Sequence, residues 1–297
     1  MATGHGVRLK VRAHLAVVAA AVLFGSTFVV VKDAVVDVGP VPFLAVRFLI
    51  AAAVMAPFAR RTPARPGVMG AGGLCGLALA AGYLFQTIGL QYTSGSVSAF
   101  ITYLLVVLVP LLSAIWLRRL PHATTVVGVI VALTGLFLLT GARWSGIGRG
   151  ELLTVGCAVA FAVHIVLLAE LSPRFETARL TAIQLLTVGA LCLVPGLFLG
   201  GYRFTTRAWL AAVYTAIAPS AIAFSLQVWG QRQVGPTRTS LLLMTEPVAA
   251  AVIGVFVGDR LGGAGVVGAT LILAGIAVSE VGPLVGPGRG RVAAADD

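Results

Sequence analysis

Long apolar segments, separated by short clusters of charge, proline and glycine, occupy almost the whole chain. A helix needs about 20 apolar residues to cross roughly 30 Å of hydrocarbon, and the interruptions leave ten segments of that order. The segments are residues 13–36, 41–58, 67–90, 95–117, 124–141, 151–171, 180–200, 207–230, 237–257 and 263–282. Because backbone groups must be hydrogen-bonded in lipid, each segment is predicted to be a helix. The pattern predicts an all-α membrane protein with ten transmembrane helices and tails at residues 1–12 and 283–297.

The composition also indicates that lipid surrounds most of the chain. Hydrophobic residues make up 59% of the sequence, charged residues make up 10%, and the mean hydropathy is +1.01. The surface of a water-soluble globule could not carry this composition. The net charge of +11 would suggest a nucleic-acid partner in a soluble protein. Here the basic residues lie between the apolar segments, so the bilayer is the expected partner and nucleic acid is not.

The distribution of lysine and arginine predicts the orientation. With the N-terminus inside, 14 basic residues fall in inner segments, 6 fall in outer segments, and Arg47 lies within a span. The positive-inside rule therefore predicts a multi-pass protein of the cell membrane with both termini in the cytoplasm.

Compartment-specific reporters fused at Arg61 and at Gly148 test this orientation. The first position falls in an inner segment and the second in an outer segment, so the two fusions are expected to report opposite sides. Equal reporter signals from both fusions would contradict the predicted topology.

Matches between the two halves of the chain recur at nearly constant offsets of 137 to 141 residues. They pair Val126-Val127-Gly128 with Val266-Val267-Gly268, Gly135 with Gly275, Gln86 with Gln227, Gly89 with Gly230, Phe24 with Phe161, and Arg47 with Gln184. Each half holds five spans, an odd number, so the second half must enter the membrane in the opposite sense. The sequence predicts two inverted five-helix repeats, at residues 13–141 and 151–282, which is an architecture used for alternating access.

Several short motifs, in this order along the chain, resemble the ten-helix EamA-type branch of the drug/metabolite transporter superfamily. They are Phe24-Gly25-Ser26-Thr27-Phe28 with Lys32, Arg47-Phe48, the glycine-rich fifth and tenth helices, and Thr245-Glu246-Pro247-Val248. The resemblance covers about residues 13–282. It implies a ten-helix carrier that acts as an exporter or permease of small metabolites, amino acids or drug-like compounds.

The chain departs from the pattern of that family at two places. Phe24 stands where family members often carry tryptophan, and Arg118-Arg119 replaces the Gly-Glu pair that usually follows the fourth helix. The second half keeps an acid at the corresponding place, in Gly258-Asp259. A role for this acid in anchoring a loop or in gating is therefore expected only of Asp259.

Two charged residues, Arg47 and Glu246, lie well inside predicted spans. An ionised side chain at mid-bilayer costs at least about 2.5 to 3.5 kcal/mol, so each is expected to face a cavity or a partner. One hypothesis is that they pair, while the carboxylate holds a cationic substrate group or exchanges a proton. The alternative is a permanent structural ion pair. Pro247 removes a backbone donor and crowds the Leu243 carbonyl, which predicts a kink beside Glu246.

Other polar or amphipathic side chains also fall within the predicted spans. They are Ser26, Thr27, Tyr83, Gln86, His164, Gln184, Gln227 and Trp229. Hydrogen bonding between helices is their usual role in membranes. The equivalence of Gln86 with Gln227 across the repeat, and of Arg47 with Gln184, favours a common central cavity. His164 is either a group that titrates near neutral pH or a satisfied hydrogen-bond partner.

The sequence lacks the motifs of reaction chemistry. It contains no P-loop, no His-Glu-x-x-His and no Gly-x-Ser-x-Gly, so neither an enzyme nor an ATP-driven pump is expected. No cofactor or metal is expected, since the three cysteines lie apart within apolar segments. These observations favour a secondary carrier of a small-molecule substrate, with protons as one candidate coupling ion. The alternative is a non-transporting membrane subunit or sensor that stabilises a partner.

Overall fold

The computed structural model describes residues 2–27, 30, 38–118, 120–143 and 146–285. Phe28, Lys32, Arg119 and the tail beyond residue 285, which the sequence analysis used, lie outside this part. The long helices are α1 (Ala2–Gly25), α2 (Pro40–Arg60), α3 (Val68–Gly89), α5 (Ala123–Thr140), α6 (Arg149–Leu171), α7 (Thr177–Phe198) and α10 (Gly263–Val285). Three spans are interrupted, namely α4 (Gly95–Thr102 and Leu105–Trp116), α8 (Thr206–Ala216, Ile217–Ile222 and Ala223–Val234) and α9 (Pro236–Leu242 and Thr245–Phe256).

The prediction of an all-α membrane protein is confirmed. The described residues contain no strand, and nine of their helical segments are long and apolar enough to cross a membrane. Helix α1 is the tenth, and it differs in carrying Arg8, Lys10 and Arg12 within its first half. It begins at Ala2, well before the predicted span. The apolar pattern marks where lipid begins, whereas the helix continues beyond it into a region that water can solvate.

Helices α4 and α9 are both broken near their middle, at equivalent places in the two repeats. In α9 the first part ends at Leu242 and the second begins at Thr245, two residues before Pro247, as the proline predicted. In α4 the parts are Gly95–Thr102 and Leu105–Trp116, and no proline adjoins that break. Such paired interruptions leave backbone groups available at mid-depth, where transporters of this architecture bind their cargo.

The packing of the helices repeats with two-fold symmetry. Helix α2 packs against its equivalent α7, and α5 packs against its equivalent α10. The contact of α3 with α6 has its image in the contact of α8 with α1. This pattern is that of an isologous interface within one chain, in which each contact between the halves has a symmetric partner.

The α5–α10 contact shows that the two repeats are inverted. A Cβ at Gly128 would lie 2.5 Å from the Gly275 carbonyl oxygen, and one at Gly135 would lie 2.5 Å from the Gly268 carbonyl oxygen. Gly128 corresponds to Gly268, and Gly135 corresponds to Gly275, so the two contacts are images of each other. The helices run antiparallel, which places the two-fold axis across them, in the plane of the membrane.

Loops rich in arginine meet at one end of the bundle, here called the arginine-rich end. Arg65 donates from its Nη1 to the Arg174 carbonyl at 3.2 Å, and Arg179 donates to the Thr62 carbonyl at 2.5 Å. These bonds join the loop after α2 to the segment between α6 and α7 and to the first turn of α7. The other end of the bundle, where α2 begins at Pro40, is called the opposite end.

Candidate functional site

A cavity of about 870 Å³ lies between the two halves. It extends from the opposite end of the bundle, where Gln91, Gly95 and Ser96 line it and are exposed, to the middle of the helices. Arg47 and Glu246 line its deep part. The cavity therefore opens toward one end of the bundle and stops short of the arginine-rich end.

Arg47 is held in place by neighbours that leave part of its guanidinium available to a ligand. Its Nε donates to the Ser220 hydroxyl at 2.8 Å, where the π-helical turn Ile217–Ile222 of α8 meets α2. Its Cζ lies 5.1 Å from the centroid of the Phe48 ring and 5.5 Å from that of Tyr83. Cation–π contact stabilises the buried charge without using up all of its N–H donors.

Glu246 lies at the break of α9, on the wall of the cavity, and is half-buried. Its backbone N–H donates to the Leu243 carbonyl at 2.9 Å, and the Tyr103 hydroxyl donates to that same carbonyl at 3.5 Å. The two broken helices thus touch at mid-depth, through Tyr103 of α4 and Leu243 of α9. A carboxylate that faces a cavity at such a break can accept hydrogen bonds from a bound ligand.

The direct ion pair considered between Arg47 and Glu246 is not formed. Within the described residues, ion pairs closer than 4.0 Å join His14 to Glu280 and Arg174 to Glu170. Arg47 instead donates from its Nε to the Ser220 hydroxyl. The cavity therefore presents a cation and an acidic side chain that do not neutralise each other by contact.

Aromatic rings form the wall between these two groups. The Phe24 and Phe224 rings pack edge to face, with centroids 5.0 Å apart, and the Tyr83 and Phe161 rings do the same at 5.4 Å. The repeat relates the two contacts, since Phe24 corresponds to Phe161 and Tyr83 corresponds to Phe224. All four side chains line the cavity, which gives it apolar walls around a charged floor.

The structure brings most of the predicted site residues together. Those that line the cavity are Thr27, Arg47, Tyr83, Gln86, His164, Gln227 and Glu246. Three do not. Gln184 is fully buried and its Oε1 lies 2.9 Å from His164 Nε2, so it supports the wall from behind. Ser26 donates to the Leu23 carbonyl and accepts from the Tyr214 hydroxyl, and Trp229 lies away from the cavity.

Several residues in and around the cavity escaped the sequence analysis. Ser220 was missed as the partner of Arg47, and Tyr103 was missed because no proline marks the break in α4. Phe161 and Phe224 were not proposed as lining residues, although the repeat offsets pair them with Phe24 and Tyr83. An aromatic side chain at both members of a repeat-related pair was the signal that would have found them.

The arrangement can bind a small amphoteric molecule. The guanidinium suits a carboxylate, the Glu246 carboxylate suits an ammonium group, and the aromatic rings suit an apolar body between them. No group of three or more His, Cys, Asp or Glu side chains comes together in the described part of the chain.

Comparison with known proteins agrees with this architecture. A transporter of Archaeoglobus fulgidus that has not been characterised is 30% identical over 249 residues, which is 84% of this chain and 79% of that protein. The aromatic amino acid exporter YddG of Ancylobacter novellus is 28% identical over 277 residues, which is 88% of this chain and 94% of that exporter. One crystal structure superposes with a TM-score of 0.79 at 26% identity, covering 91% of this chain and 98% of the other.

The EamA-like transporter family matches the chain twice, at residues 11–141 and 148–280. The two matches meet in the connector between α5 and α6, so each covers one five-helix half. The chain is a member of the EamA-like transporter family.

Proposed function

We propose that this chain is a secondary transporter that moves small amphoteric molecules with an apolar body through its central cavity by alternating access. The resemblance of the chain to exporters favours net efflux across the cell membrane, with both termini in the cytoplasm. The observation that carries the proposal is a difference between the two ends of the bundle. Hydrogen bonds close the arginine-rich end, whereas the residues equivalent to them at the opposite end are not in contact.

The arginine-rich end is sealed by side chains of α8. Gln231 donates from its Nε2 to the Ile165 carbonyl of α6 at 2.5 Å, and Arg232 donates to the Phe175 carbonyl at 2.7 Å. Both acceptors are backbone atoms in the segment that ends α6. These two bonds tie α8 to α6 and to the segment after it, next to the deep end of the cavity, which Ile165 lines.

The repeat relates these sealing residues to residues at the mouth of the cavity. Offsets of 141 and 137 residues match Gln231 to Leu90, Arg232 to Gln91, and Phe175 to Val38. Leu90 and Gln91 line the cavity and are exposed. In the described part of the chain, the Gln91 side chain makes no hydrogen bond to Val38.

Inverted repeats allow the two ends to exchange these contacts. If the first half adopts the packing now shown by the second, Gln91 reaches the Val38 carbonyl while Arg232 releases Phe175. The Gln91 bond then replaces the Arg232 bond, whereas Leu90 has no donor to replace that of Gln231. Exchanging equivalent contacts in this way keeps the two states close in energy, which a transport cycle requires. The buried Gln184 and the cavity-facing Arg47, which are equivalent residues, exchange their environments in the same step.

Paired cysteines test this exchange. With Cys75, Cys157 and Cys192 replaced by alanine, Phe175→Cys with Arg232→Cys reports the seal at the arginine-rich end, and Val38→Cys with Gln91→Cys reports the seal at the opposite end. A short bis-maleimide is expected to link either pair in membranes, and either link should reduce flux in proteoliposomes by at least about tenfold, since it traps one state.

The two links are expected to exclude each other. A protein already linked at residues 175 and 232 should fail to link at residues 38 and 91 in the quadruple-cysteine variant. Phe175→Cys and Val38→Cys, which keep the backbone carbonyls that accept the sealing bonds, serve as single-cysteine controls and should leave flux within about twofold of the wild-type rate. Formation of both links in one molecule would contradict the exchange of seals.

The substrate class follows from the unpaired charges and the aromatic walls. The Ancylobacter novellus relative is named an exporter of aromatic amino acids, which are zwitterions with a ring. Radiolabelled phenylalanine is therefore the first probe for counterflow in proteoliposomes, with acetate and benzylamine as probes that each lack one charge. Failure of every amphoteric probe to cross, with folded protein, would favour the alternative of a non-transporting membrane subunit.

A further inference from the structure

A second cavity of about 500 Å³ lies at the arginine-rich end and shares no lining residue with the transport cavity. It is a groove between the loop that precedes α3 and the end of α6. Arg65 and Arg174 stand at its rim, and Gly70, Leu74, Leu171 and Phe175 form its floor and walls. The groove therefore combines a basic mouth with an apolar floor.

The floor faces the hydrocarbon side of the helix bundle. Leu74 is 47% exposed on α3, and Leu77, about one turn further along the same face of the helix, is exposed as well. A Cβ at Gly70 would meet no atom within 4 Å, so the absence of a side chain there leaves a trough. The trough is continuous with a lipid-facing surface, and it has the chemistry of an acyl-chain site.

The rim carries more positive than negative charge. Arg174 donates to the Glu170 carboxylate at 2.6 Å, which offsets one charge. Arg65 has no carboxylate partner among the described residues, and its bond to the Arg174 carbonyl holds its guanidinium beside the groove. An anionic headgroup at this rim can pair with the charge of Arg65 and accept hydrogen bonds from the remaining N–H donors of both arginines.

We propose that this groove binds one anionic phospholipid, with its phosphate at Arg65 and Arg174 and one acyl chain along Gly70, Leu74 and Leu171. A free phosphate ion would use only the rim and would leave the apolar floor unoccupied, so the combination favours a lipid. Basic pockets between transmembrane helices at the cytoplasmic surface have this chemistry. The site is separate from the transport cavity, and its test needs no transport.

Native mass spectrometry of the full chain in detergent tests the site, with dioleoyl phosphatidylglycerol as the probe. The wild-type chain is expected to retain one lipid at this site in preference to dioleoyl phosphatidylcholine. Gly70→Leu fills the trough and should abolish the retained lipid. Arg65→Gln should weaken retention roughly fivefold, since one arginine near an anionic surface contributes about 1 kcal/mol.

Matched controls lie on the same elements. Gly73→Leu changes another glycine of α3 whose Cβ would meet nothing within 4 Å but which does not line the groove, and it should retain the lipid. Arg61→Gln removes a neighbouring charge outside the groove and should do the same. Equal retention by the Gly70→Leu variant and the wild-type chain, at equal thermal midpoints, would overturn the proposal. So would inorganic phosphate that displaces the lipid completely, because the rim would then be a phosphate site.

Discussion

Replacing Glu246 with glutamine is expected to slow counterflow of phenylalanine by roughly tenfold to 150-fold, because a hydrogen bond to a charged group contributes about 1.5 to 3 kcal/mol. The change keeps the size of the side chain and leaves the Glu246 backbone bond to Leu243 in place. Since no cation contacts the carboxylate within 4.0 Å, its loss should leave the thermal midpoint nearly unchanged. Initial rates in proteoliposomes, paired with a thermal-unfolding curve, measure both quantities.

Glu280→Gln is the matched control for this variant. Glu280 is partly buried on α10, where its carboxylate lies 2.9 Å from His14 Nε2, and it does not line the cavity. Flux through the Glu280→Gln variant is expected to stay within about twofold of the wild-type rate. If the Glu246→Gln variant keeps the full rate and the same dependence on pH, the carboxylate neither holds the substrate nor exchanges a proton.

The position of Arg47 favours a role for Glu246 in binding rather than in packing. A structural ion pair places the two groups in contact, and removing one partner then destabilises the fold by leaving a buried charge. Here Ser220 and the rings of Phe48 and Tyr83 contact Arg47, and Glu246 acts on it through space without contact. The carboxylate is therefore available to a ligand, and its charge is expected to act on substrate affinity.

Hydropathy predicted the spans because the thickness of the bilayer sets the length of an apolar helix. It could not place the start of α1, since a helix continues into water without any change in its backbone bonding. It also did not show the break at Tyr103 and Leu104, where α4 lacks the adjoining proline that marks the equivalent break in α9. There the backbone follows the packing of α4 against its neighbours, which no local pattern encodes.

The charged part of the site was predictable because an ionised side chain within the bilayer is costly unless it faces a cavity or a partner. Arg47 and Glu246 were identified on that ground, and both line the cavity. Gln184 was expected beside them as the equivalent of Arg47, but it is buried against His164. A sequence repeat predicts that two residues occupy equivalent positions in their own halves. It does not predict that both have the same environment in one structure, where the two halves differ.

Gly135→Leu is expected to destabilise the fold by at least about 1 to 3 kcal/mol, the usual cost of overpacking, because backbone atoms of α10 lie against the added atoms. A Cβ at residue 135 would lie 2.5 Å from the Gly268 carbonyl oxygen and 2.7 Å from the Ile272 nitrogen. A backbone neighbour cannot rotate away as a side chain can, so α5 and α10 must separate. A lower thermal midpoint and a lower yield of folded protein measure the effect.

The symmetry of the α5–α10 contact decides how transport should respond to this change. The contact maps onto itself under the two-fold axis, so exchanging the packing of the two halves leaves it unaltered. Gly135→Leu should therefore reduce flux in proportion to the folded fraction, with the rate per folded molecule preserved. Gly73→Leu, which adds the same side chain into open space, should change neither quantity. A normal midpoint with a slow rate per molecule would mean that α5 and α10 move during transport.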